Sequence, residues 1–215
     1  IPVLCFGQYT SIPDQNFEKA LIDFGYDDVI DGKVLTANIN SVDSLNLIYK
    51  NISDLTGIED FTALSFLNCS SNQLTNLDVS QNTALTGLYC DDNQLTNLDI
   101  TKNTALTGFS CYKNKLNNLD VSKNTALTKL SCSTNKLTSL DVSQNIHLIY
   151  YLSCGENKLT NLDVSQNTAL TRLYCDDNQL TNLDVSKNTA LIALGCGNNK
   201  FDCDSLIAKF GLNYE

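Results

Sequence analysis

The sequence LSFLNCSSNQLTNLDVSQNTA occupies residues 64–84, and its pattern recurs with a period of about 21 residues down to Phe201. Successive units share the form LxxLxCxxNxLxxLDVSxNTA and open at Leu64, Leu85, Leu106, Leu127, Leu148, Leu170 and Leu191. A fixed period of this length predicts a solenoid in which each unit forms one turn. A divergent first unit begins at Val42, and the array continues without a linker, so we expect a single domain.

Within a unit, the LxxLxC segment has the alternation of a β-strand. This geometry sends Leu67 and Cys69 to the interior, and it sends Phe66 and Asn68 to the opposite face. One unit buries too few apolar side chains to offset the entropy lost on ordering about 21 residues, so it cannot fold alone. Stacking supplies the missing burial and pairs each strand with its neighbours.

The strand-like LxC followed by a fixed Asn resembles a leucine-rich repeat, and Cys at the last strand position is similar to the internalin-like secreted proteins of bacteria. The segment IPDQNFEKAL, residues 12–21, resembles the N-terminal cap of the same proteins. The resemblance implies a leucine-rich repeat solenoid, an α/β-type right-handed superhelix. It also implies a parallel β-sheet on the concave face, mostly irregular turns on the convex side and a short N-terminal helical cap.

Four segments divide the chain. Residues 1–8 are apolar and resemble the remnant of a secretory signal peptide, although an N-terminal strand covering the first layer is the alternative. Residues 9–41 are assigned to the N-terminal cap, with a helix that begins near Asp14 and stops at Gly25. We assign residues 42–201 to the repeats and 202–215 to a C-terminal cap. No apolar run is long enough to cross a bilayer.

The charge of the chain and the absence of catalytic motifs disfavour several classes of function. The formal net charge of -10 disfavours electrostatic binding to nucleic acid or anionic lipid. No GxSxG, HExxH, CxxC or P-loop pattern occurs, and the single histidine, His147, lies where other units have Ala. We therefore predict that the protein is not an enzyme and uses no cofactor or metal.

Seven of the nine cysteines share one register position, namely Cys69, Cys90, Cys111, Cys132, Cys154, Cys175 and Cys196. Side chains stacked on parallel strands point the same way and do not face one another, so we expect free, buried thiols. Cys5 and Cys203 lie outside this column. A disulfide between Cys203 and Cys196 across the C-terminal cap is the alternative for that pair.

Two polar columns also recur. The first contains Asn72, Asn93, Asn114, Asn135, Asn157, Asn178 and Asn199, and its amides can satisfy backbone groups of two adjacent turns. The second contains Asp78, Asp99, Asp120, Asp141, Asp163 and Asp184. We interpret these carboxylates as acceptors for turn N–H groups and nearby hydroxyls, with calcium bound between neighbouring carboxylates as the alternative.

Specificity should reside in positions that vary between units and face solvent from the concave sheet. Aromatic and acidic residues collect there, and aromatic rings are common anchors of interfaces. The predicted ligand-binding residues are Phe66, Tyr89, Asp91, Asp92, Tyr112, Tyr151, Glu156, Arg172, Tyr174, Asp176 and Asp177. The motif YCDDNQLTNLD occurs at residues 89–99 and 174–184, so duplication of a unit explains part of this pattern equally well.

The unit opening at Leu148 departs from the repeat. It has one extra residue before its strand, and NIH replaces NTA just upstream. An inserted residue of this kind predicts a bulge that turns Tyr150 or Tyr151 outward. This unit either carries a specific function or has drifted from the repeat without one, and the sequence leaves both interpretations open.

These observations predict a non-catalytic recognition or adhesion module, secreted or on the outer surface of a bacterium. We expect a monomer that binds a protein or glycan on a cell surface or matrix, with no membrane insertion. One alternative is a structural spacer. Another is binding to ice or a crystal face through two columns of threonine, Thr75, Thr96, Thr138, Thr160 and Thr181 in one, and Thr83, Thr104, Thr125, Thr168 and Thr189 in the other.

Overall fold

The computed structural model describes residues 7–211, with only the backbone of Lys209, and the backbone of residues 213–214. The segment interpreted as a signal-peptide remnant therefore lies almost wholly outside the described residues, as does Cys5. The N-terminal part contains β1 (Tyr9–Ser11), α1 (Gln15–Asp23), β2 (Lys33–Leu35) and α2 (Thr36–Ile39), with β1 and β2 antiparallel. The C-terminal part contains α3 (Cys203–Phe210).

A nine-stranded sheet runs the length of the array, and its strands follow one another in chain order. The strands are β3 (Ser44–Asn46), β4 (Phe66–Asn68), β5 (Gly87–Tyr89), β6 (Gly108–Ser110), β7 (Lys129–Ser131), β8 (Tyr151–Ser153), β9 (Arg172–Tyr174), β10 (Ala193–Gly195) and β11 (Asn213–Tyr214). All neighbours are parallel, and equivalent residues pair, so that Leu67 lies opposite Leu88 and Leu88 opposite Phe109. The predicted leucine-rich repeat solenoid is confirmed.

The interior is made of continuous apolar columns. The middle residue of each strand, such as Leu67, points inward, and the Cys that follows the strand is fully buried. Leu64, Leu74 and Val79 are fully buried as well, and so are their equivalents in most other units. Each layer therefore buries its apolar side chains against the layers on both sides, which is the source of stability that a single unit lacks.

The predicted asparagine column lies just behind the strands. Asn72 Nδ2 donates to Leu47 O at 2.7 Å in the preceding turn and to Cys69 O at 2.9 Å in its own. Its Oδ1 accepts from Ile52 N at 2.9 Å. The same bonds recur in the later units, so the structural interpretation of this column is confirmed.

The asparagine of the NTA segment forms another ladder, which sequence reasoning missed. Its members are almost fully buried and are Asn82, Asn103, Asn124, Asn145, Asn167 and Asn188. Asn103 Nδ2 donates to Val79 O at 2.9 Å and to Asn82 O at 3.0 Å, both in the preceding turn. The signal was available, because this Asn persists even in the unit where NIH replaces NTA.

Each carboxylate of the aspartate column accepts hydrogen bonds within its own turn. Asp99 Oδ1 accepts from Thr101 N at 2.9 Å and from Thr101 Oγ1 at 2.7 Å. Asp78, Asp120, Asp141, Asp163 and Asp184 accept from the backbone N–H two residues later in the same way. These bonds lower the pKa of Asp78 and Asp120, which is the behaviour expected of turn acceptors.

Six cysteines of the column, from Cys69 to Cys175, are free and buried. The prediction of a free thiol is wrong for Cys196, which forms a disulfide with Cys203. The column ends at β10, and α3 begins at Cys203 with its Cα 5.6 Å from that of Cys196. A partner from the cap can therefore approach the last thiol in a direction that is closed to the others.

The predicted N-terminal helix is present as α1. Asp14 caps it, because its Oδ1 accepts from Asn16 N at 2.9 Å and from Phe17 N at 3.0 Å. Its Oδ2 accepts from Ser53 N at 2.8 Å, which ties the helix to the first repeat unit. Gly25 has a φ of 81°, a left-handed conformation suited to the end of a helix. No helix in the part of the chain that the structure describes is long and apolar enough to span a lipid bilayer.

Candidate functional site

The residues predicted to bind a ligand lie on the strands of the sheet and in the turns that follow them. Phe66, Tyr89, Tyr151, Arg172 and Tyr174 belong to strands, on either side of the inward leucine. The other predicted residues follow the buried Cys of their unit, namely Asp91, Asp92, Tyr112, Glu156, Asp176 and Asp177. Local contacts divide these residues into separate clusters.

The first cluster joins two aromatic rings and a lysine. The ring centroids of Phe66 and Tyr89 are 5.5 Å apart, and Lys129 Nζ lies 5.5 Å from the Tyr89 centroid. Glycine beneath these side chains leaves room for this arrangement, because a Cβ on Gly108 would lie 2.6 Å from Lys129 Cε and 2.9 Å from the Tyr89 hydroxyl, and both would have to shift. Gly87 leaves similar room beside Phe66. A hydrogen bond with Tyr89 raises the pKa of Lys129, a residue that sequence reasoning did not include in the site.

The second cluster contains the first DD pair of the duplicated motif. Asp91 Oδ1 accepts from Ser110 Oγ and from Tyr112 N, the latter at 2.8 Å, so its carboxylate is bonded to the next turn. Burial raises the pKa of Asp91. Asp92 Oδ1 lies 2.9 Å from Lys113 Nζ. Both carboxylates therefore have structural partners within the repeat array.

The residue before the fixed Asn, or before Lys50 in the first unit, has a positive φ in every unit. The residues at this position are Tyr49, Ser71, Asp92, Lys113, Thr134, Glu156, Asp177 and Asn198, with φ between 50° and 56°. Aspartate and asparagine tolerate this left-handed conformation better than most residues do. Backbone geometry therefore explains part of the preference for acids at Asp92 and Asp177, independently of binding.

The third cluster is the second DD pair. Asp176 Oδ1 would lie 2.9 Å from a Cβ on Gly155, so this carboxylate leans over the preceding turn. Burial raises the pKa of Asp176, and the charges of Asp177 and Glu156 raise it further. Asp177 Oδ1 accepts from Asn198 Nδ2 at 2.8 Å. Identical motifs thus have different surroundings, because the turn after Asp176 offers glycines where the turn after Asp91 offers a hydroxyl.

The insertion in the unit that opens at Leu148 produces the predicted bulge. Tyr150 N donates to Thr128 O at 3.0 Å, the bond that the first strand residue makes in other units, but the residue that pairs with Lys129 is Tyr151, one position later. Pairing with β9 resumes only at Leu152, so the ladder is open beside Tyr151. Tyr150 is 58% exposed and Ile149 is 40% exposed. The extra residue is accommodated by turning Tyr150 into solvent, whereas Ile149 stands at a position that is also exposed in other units, as at Ile192.

Solved structures of other proteins share this architecture. The functional domain of InlJ from Listeria monocytogenes, which includes a cysteine ladder, has a TM-score of 0.86 and 42% identity, covering 99% of this chain and 48% of that one. The chain thus spans about half the length of that InlJ chain. Internalin C2 from Listeria monocytogenes has a TM-score of 0.83 at 20% identity, covering 98% and 100%. At that identity the likeness concerns the fold alone.

A leucine-rich repeat protein from Leptospira interrogans has a TM-score of 0.72 at 26% identity, covering 83% of this chain and 50% of that one. No protein-family model and no curated protein sequence matches the chain. The parallel strands, the in-register cysteines and these likenesses agree with one another. The chain is an internalin-like leucine-rich repeat solenoid built from cysteine-containing units of about 21 residues.

Proposed function

We propose that this chain is a non-catalytic recognition module that binds a partner on a cell surface or matrix through the outward face of its sheet. The likeness to the InlJ domain supports an interaction or adhesion module of the repeat type. The same likeness supports a location outside the bacterial cell, secreted or at the surface. The partner is a protein or a glycan, and the predicted monomer presents the sheet face to it.

One observation carries the proposal, namely the contrast between the two sides of each strand. Inward positions keep Leu and Cys in nearly every unit, because they fill the core. Outward positions change from unit to unit and gather aromatic rings and charges, as at Tyr89 and Arg172. A regular spacer has no need for such variety, whereas an interface gains affinity from aromatic and arginine anchors.

The chemistry of the buried thiols supports a non-catalytic role. Burial raises the pKa of Cys69, Cys132 and Cys175 to about 12, so their reactive thiolate form is scarce at neutral pH. Their side chains are fully buried and cannot meet a substrate. His147, the only histidine in the sequence, is exposed in the turn that precedes Leu148.

The proposal is tested with a variant that removes three outward rings, Tyr89→Ala, Tyr151→Ala and Tyr174→Ala together. Binding of the purified chain is measured on a glycan array and on immobilised matrix proteins. We expect binding to be lost while the melting temperature changes by only a few degrees, since the inward columns are untouched. Tyr9→Ala, which removes an exposed ring from β1 in the cap, is the matched control.

Unchanged binding in the triple variant would contradict the proposal and would favour the spacer. Binding to ice through the threonine columns would instead appear as thermal hysteresis of the purified protein. That measurement separates this alternative from the other two.

A further inference from the structure

We propose that the sheet carries a docking site for a protein segment that presents an apolar side chain bordered by carboxylates. The site, named here the insertion patch, consists of Lys129, Ile149, Tyr150, Tyr151, Arg172 and Ile192. This inference rests on the proposed function and deepens it, because it selects a protein over a glycan and specifies the chemistry of the partner.

Apolar side chains replace hydroxyls at the edge of the patch. The residue after the opening leucine is Ser or Thr in the units at Ser65, Thr86, Thr107, Thr128 and Thr171. Each hydroxyl donates to a backbone carbonyl of the preceding turn, as Thr107 Oγ1 does to Thr86 O at 3.1 Å. Ile149 and Ile192 occupy this position without a hydroxyl, and Ile192 is 51% exposed. The array therefore gives up a hydrogen bond at both places and exposes hydrocarbon to water.

These two isoleucines lie on the same side of the sheet. Ile192 N donates to Thr171 O at 2.9 Å, and Thr171 N donates to Ile149 O at 2.8 Å, so the three residues occupy consecutive turns. Two turns correspond to roughly 10 Å along the array. The bulge adds Tyr150 beside Ile149. The result is an exposed apolar strip around Thr171, within the part of the sheet that departs from the repeat.

Two cations border this strip. Lys129 and Arg172 stand before the inward leucine of β7 and β9, on either side of Tyr151 in β8. Arg172 is exposed and is the only arginine in the sequence. Within residues 7–211, neither cation forms an ion pair, and Lys129 Nζ instead lies 5.5 Å from the centroid of the Tyr89 ring. Two unpaired cations in a chain of net charge -10 favour a carboxylate from outside the chain.

Acidic groups limit how such a partner can lie. Glu156, Asp176 and Asp177 follow strands β8 and β9, at the opposite edge of the sheet from the isoleucines. Their charges repel an acidic segment that crosses the sheet along the strands. The segment is therefore expected to run along the array, from turn to turn, with its apolar side chain on Ile149, Tyr150 and Ile192.

The apolar strip also decides between classes of ligand. An aromatic ring can stack on a sugar, and cations can bind an anionic glycan, so Tyr151 with its two neighbours would suit either class. Exposed isoleucine offers a sugar neither a stacking face nor a hydrogen bond. Burial of aliphatic surface is worth roughly 25 cal/mol per Å², and a protein segment with an apolar anchor is the partner that gains it.

The test uses a phage-displayed library of random 12-residue peptides, selected on the full chain. Enriched peptides are resynthesised, and their dissociation constants are measured by fluorescence anisotropy. We expect enriched sequences to combine Asp or Glu with a large apolar residue. Arg172→Ala should weaken their binding at least tenfold, and raised salt should weaken it for the wild type. Lys158→Ala, which removes an exposed cation in the turn after β8, is the matched control and should have no effect.

Two further variants keep the fold intact by design. Ile192→Thr restores the residue that four other units carry, and deletion of Tyr150 restores the standard unit length. Both should retain or raise the melting temperature while they weaken peptide binding at least tenfold. Ile30→Thr, at an exposed isoleucine of the N-terminal cap, is the control for the first.

Three results would overturn the inference. They are no enrichment, enrichment of peptides without acidic and apolar residues, and peptide binding that Arg172→Ala and Ile192→Thr leave unchanged. Heparin or chondroitin sulfate binding that depends on Arg172, with no peptide binding, would also overturn it in favour of a glycan site. If the patch variants bind normally and Tyr89→Ala does not, only this inference fails. If no outward variant affects binding to any partner, the proposed function fails as well.

Discussion

The carboxylate of Asp91 accepts a hydrogen bond from the hydroxyl of Ser110, which lies on the next strand of the sheet. The same carboxylate oxygen accepts from Tyr112 N at 2.8 Å. A residue expected to contact a ligand therefore also joins two turns of the array. Substitutions at this position affect the scaffold and the surface together, and the two effects can be separated by choosing an isosteric change.

Asp91→Asn keeps an acceptor oxygen for Ser110 and Tyr112 and removes a partly buried charge. Burial raises the folded-state pKa of Asp91 above its unfolded value of 3.8. At pH values between the unfolded and the folded pKa, the folded state therefore binds more protons than the unfolded state. The contribution of Asp91 to the free energy of unfolding consequently falls as the pH rises through this range. We expect the variant to gain melting temperature relative to wild type at pH 7 and to lose that advantage at pH 3. A variant that is less stable than wild type at pH 7 would show that the charge itself stabilises the array.

The aspartate column has the opposite pH dependence. Hydrogen bonds from Ser122 lower the pKa of Asp120, and those from Ser80 lower that of Asp78. A lowered folded-state pKa gives stability that is present above the unfolded value of 3.8 and is lost as pH falls through the folded value. Urea unfolding should therefore show a steep loss below pH 4, and Asp120→Asn should make the loss shallower while changing stability at pH 7 by about 0.5 kcal/mol or less. An acid profile identical to wild type would contradict this role.

Asn103→Ala should destabilise the protein by about 2–4 kcal/mol. The substitution leaves Val79 O and Asn82 O without the amide that donates to them at 2.9 and 3.0 Å, in a place that water does not reach. Asn97→Ala removes an exposed asparagine from the same unit and should cost less than about 0.5 kcal/mol. Chemical denaturation of both variants measures their free energies of unfolding. Equal values would show that the second asparagine ladder does not stabilise the protein.

The free thiols of the column should resist alkylation in the folded protein. Burial raises the pKa of Cys90, Cys111 and Cys154 well above 9.0 and blocks access to the sulfur atoms. Iodoacetamide at pH 8, followed by peptide mass mapping, should leave the thiols from Cys69 to Cys175 unmodified until urea unfolds the chain. Modification of an inner thiol such as Cys111 before unfolding would show that the turns separate readily in the native state.

Reduction of the Cys196–Cys203 disulfide should release the C-terminal cap before the rest of the array. The bond closes a short loop with a sequence separation of 7, for which the entropic stabilisation is about 2–3 kcal/mol. Cys203→Ala should lower the melting temperature and increase amide hydrogen exchange within α3 and β10. Exchange in β4 to β6 serves as the internal control and should stay at wild-type levels. Equal protection of α3 in wild type and variant would mean that packing alone holds the cap.

Periodicity made the fold readable, because the same residues must meet the same partners in each turn. Leu67, Cys69 and Asn72 could be assigned to the core and the ladder on their register alone, and the bulge at Tyr150 followed from counting one residue. The capping role of Asp14 was likewise visible from its place before a helical pattern.

Features that depend on distance between units were harder to foresee. Lys129 reaches Tyr89 across Gly108, whose missing side chain leaves space between them, a relation across three turns that no local pattern encodes. The left-handed backbone at Asp92 was hidden by the variety of residue types in that column. The Cys196 disulfide depends on where α3 folds back, which repeat periodicity does not specify.

The NTA asparagines attach each turn to the one before it through two backbone carbonyls, with the same geometry along the whole array. A pulling force applied between the ends would therefore meet a series of equal, separate attachments rather than one dominant barrier. Under tension the protein should lengthen in discrete steps of about 70 Å, the contour length of one repeat unit. Such a ladder dissipates a sudden load turn by turn and leaves the remaining turns intact.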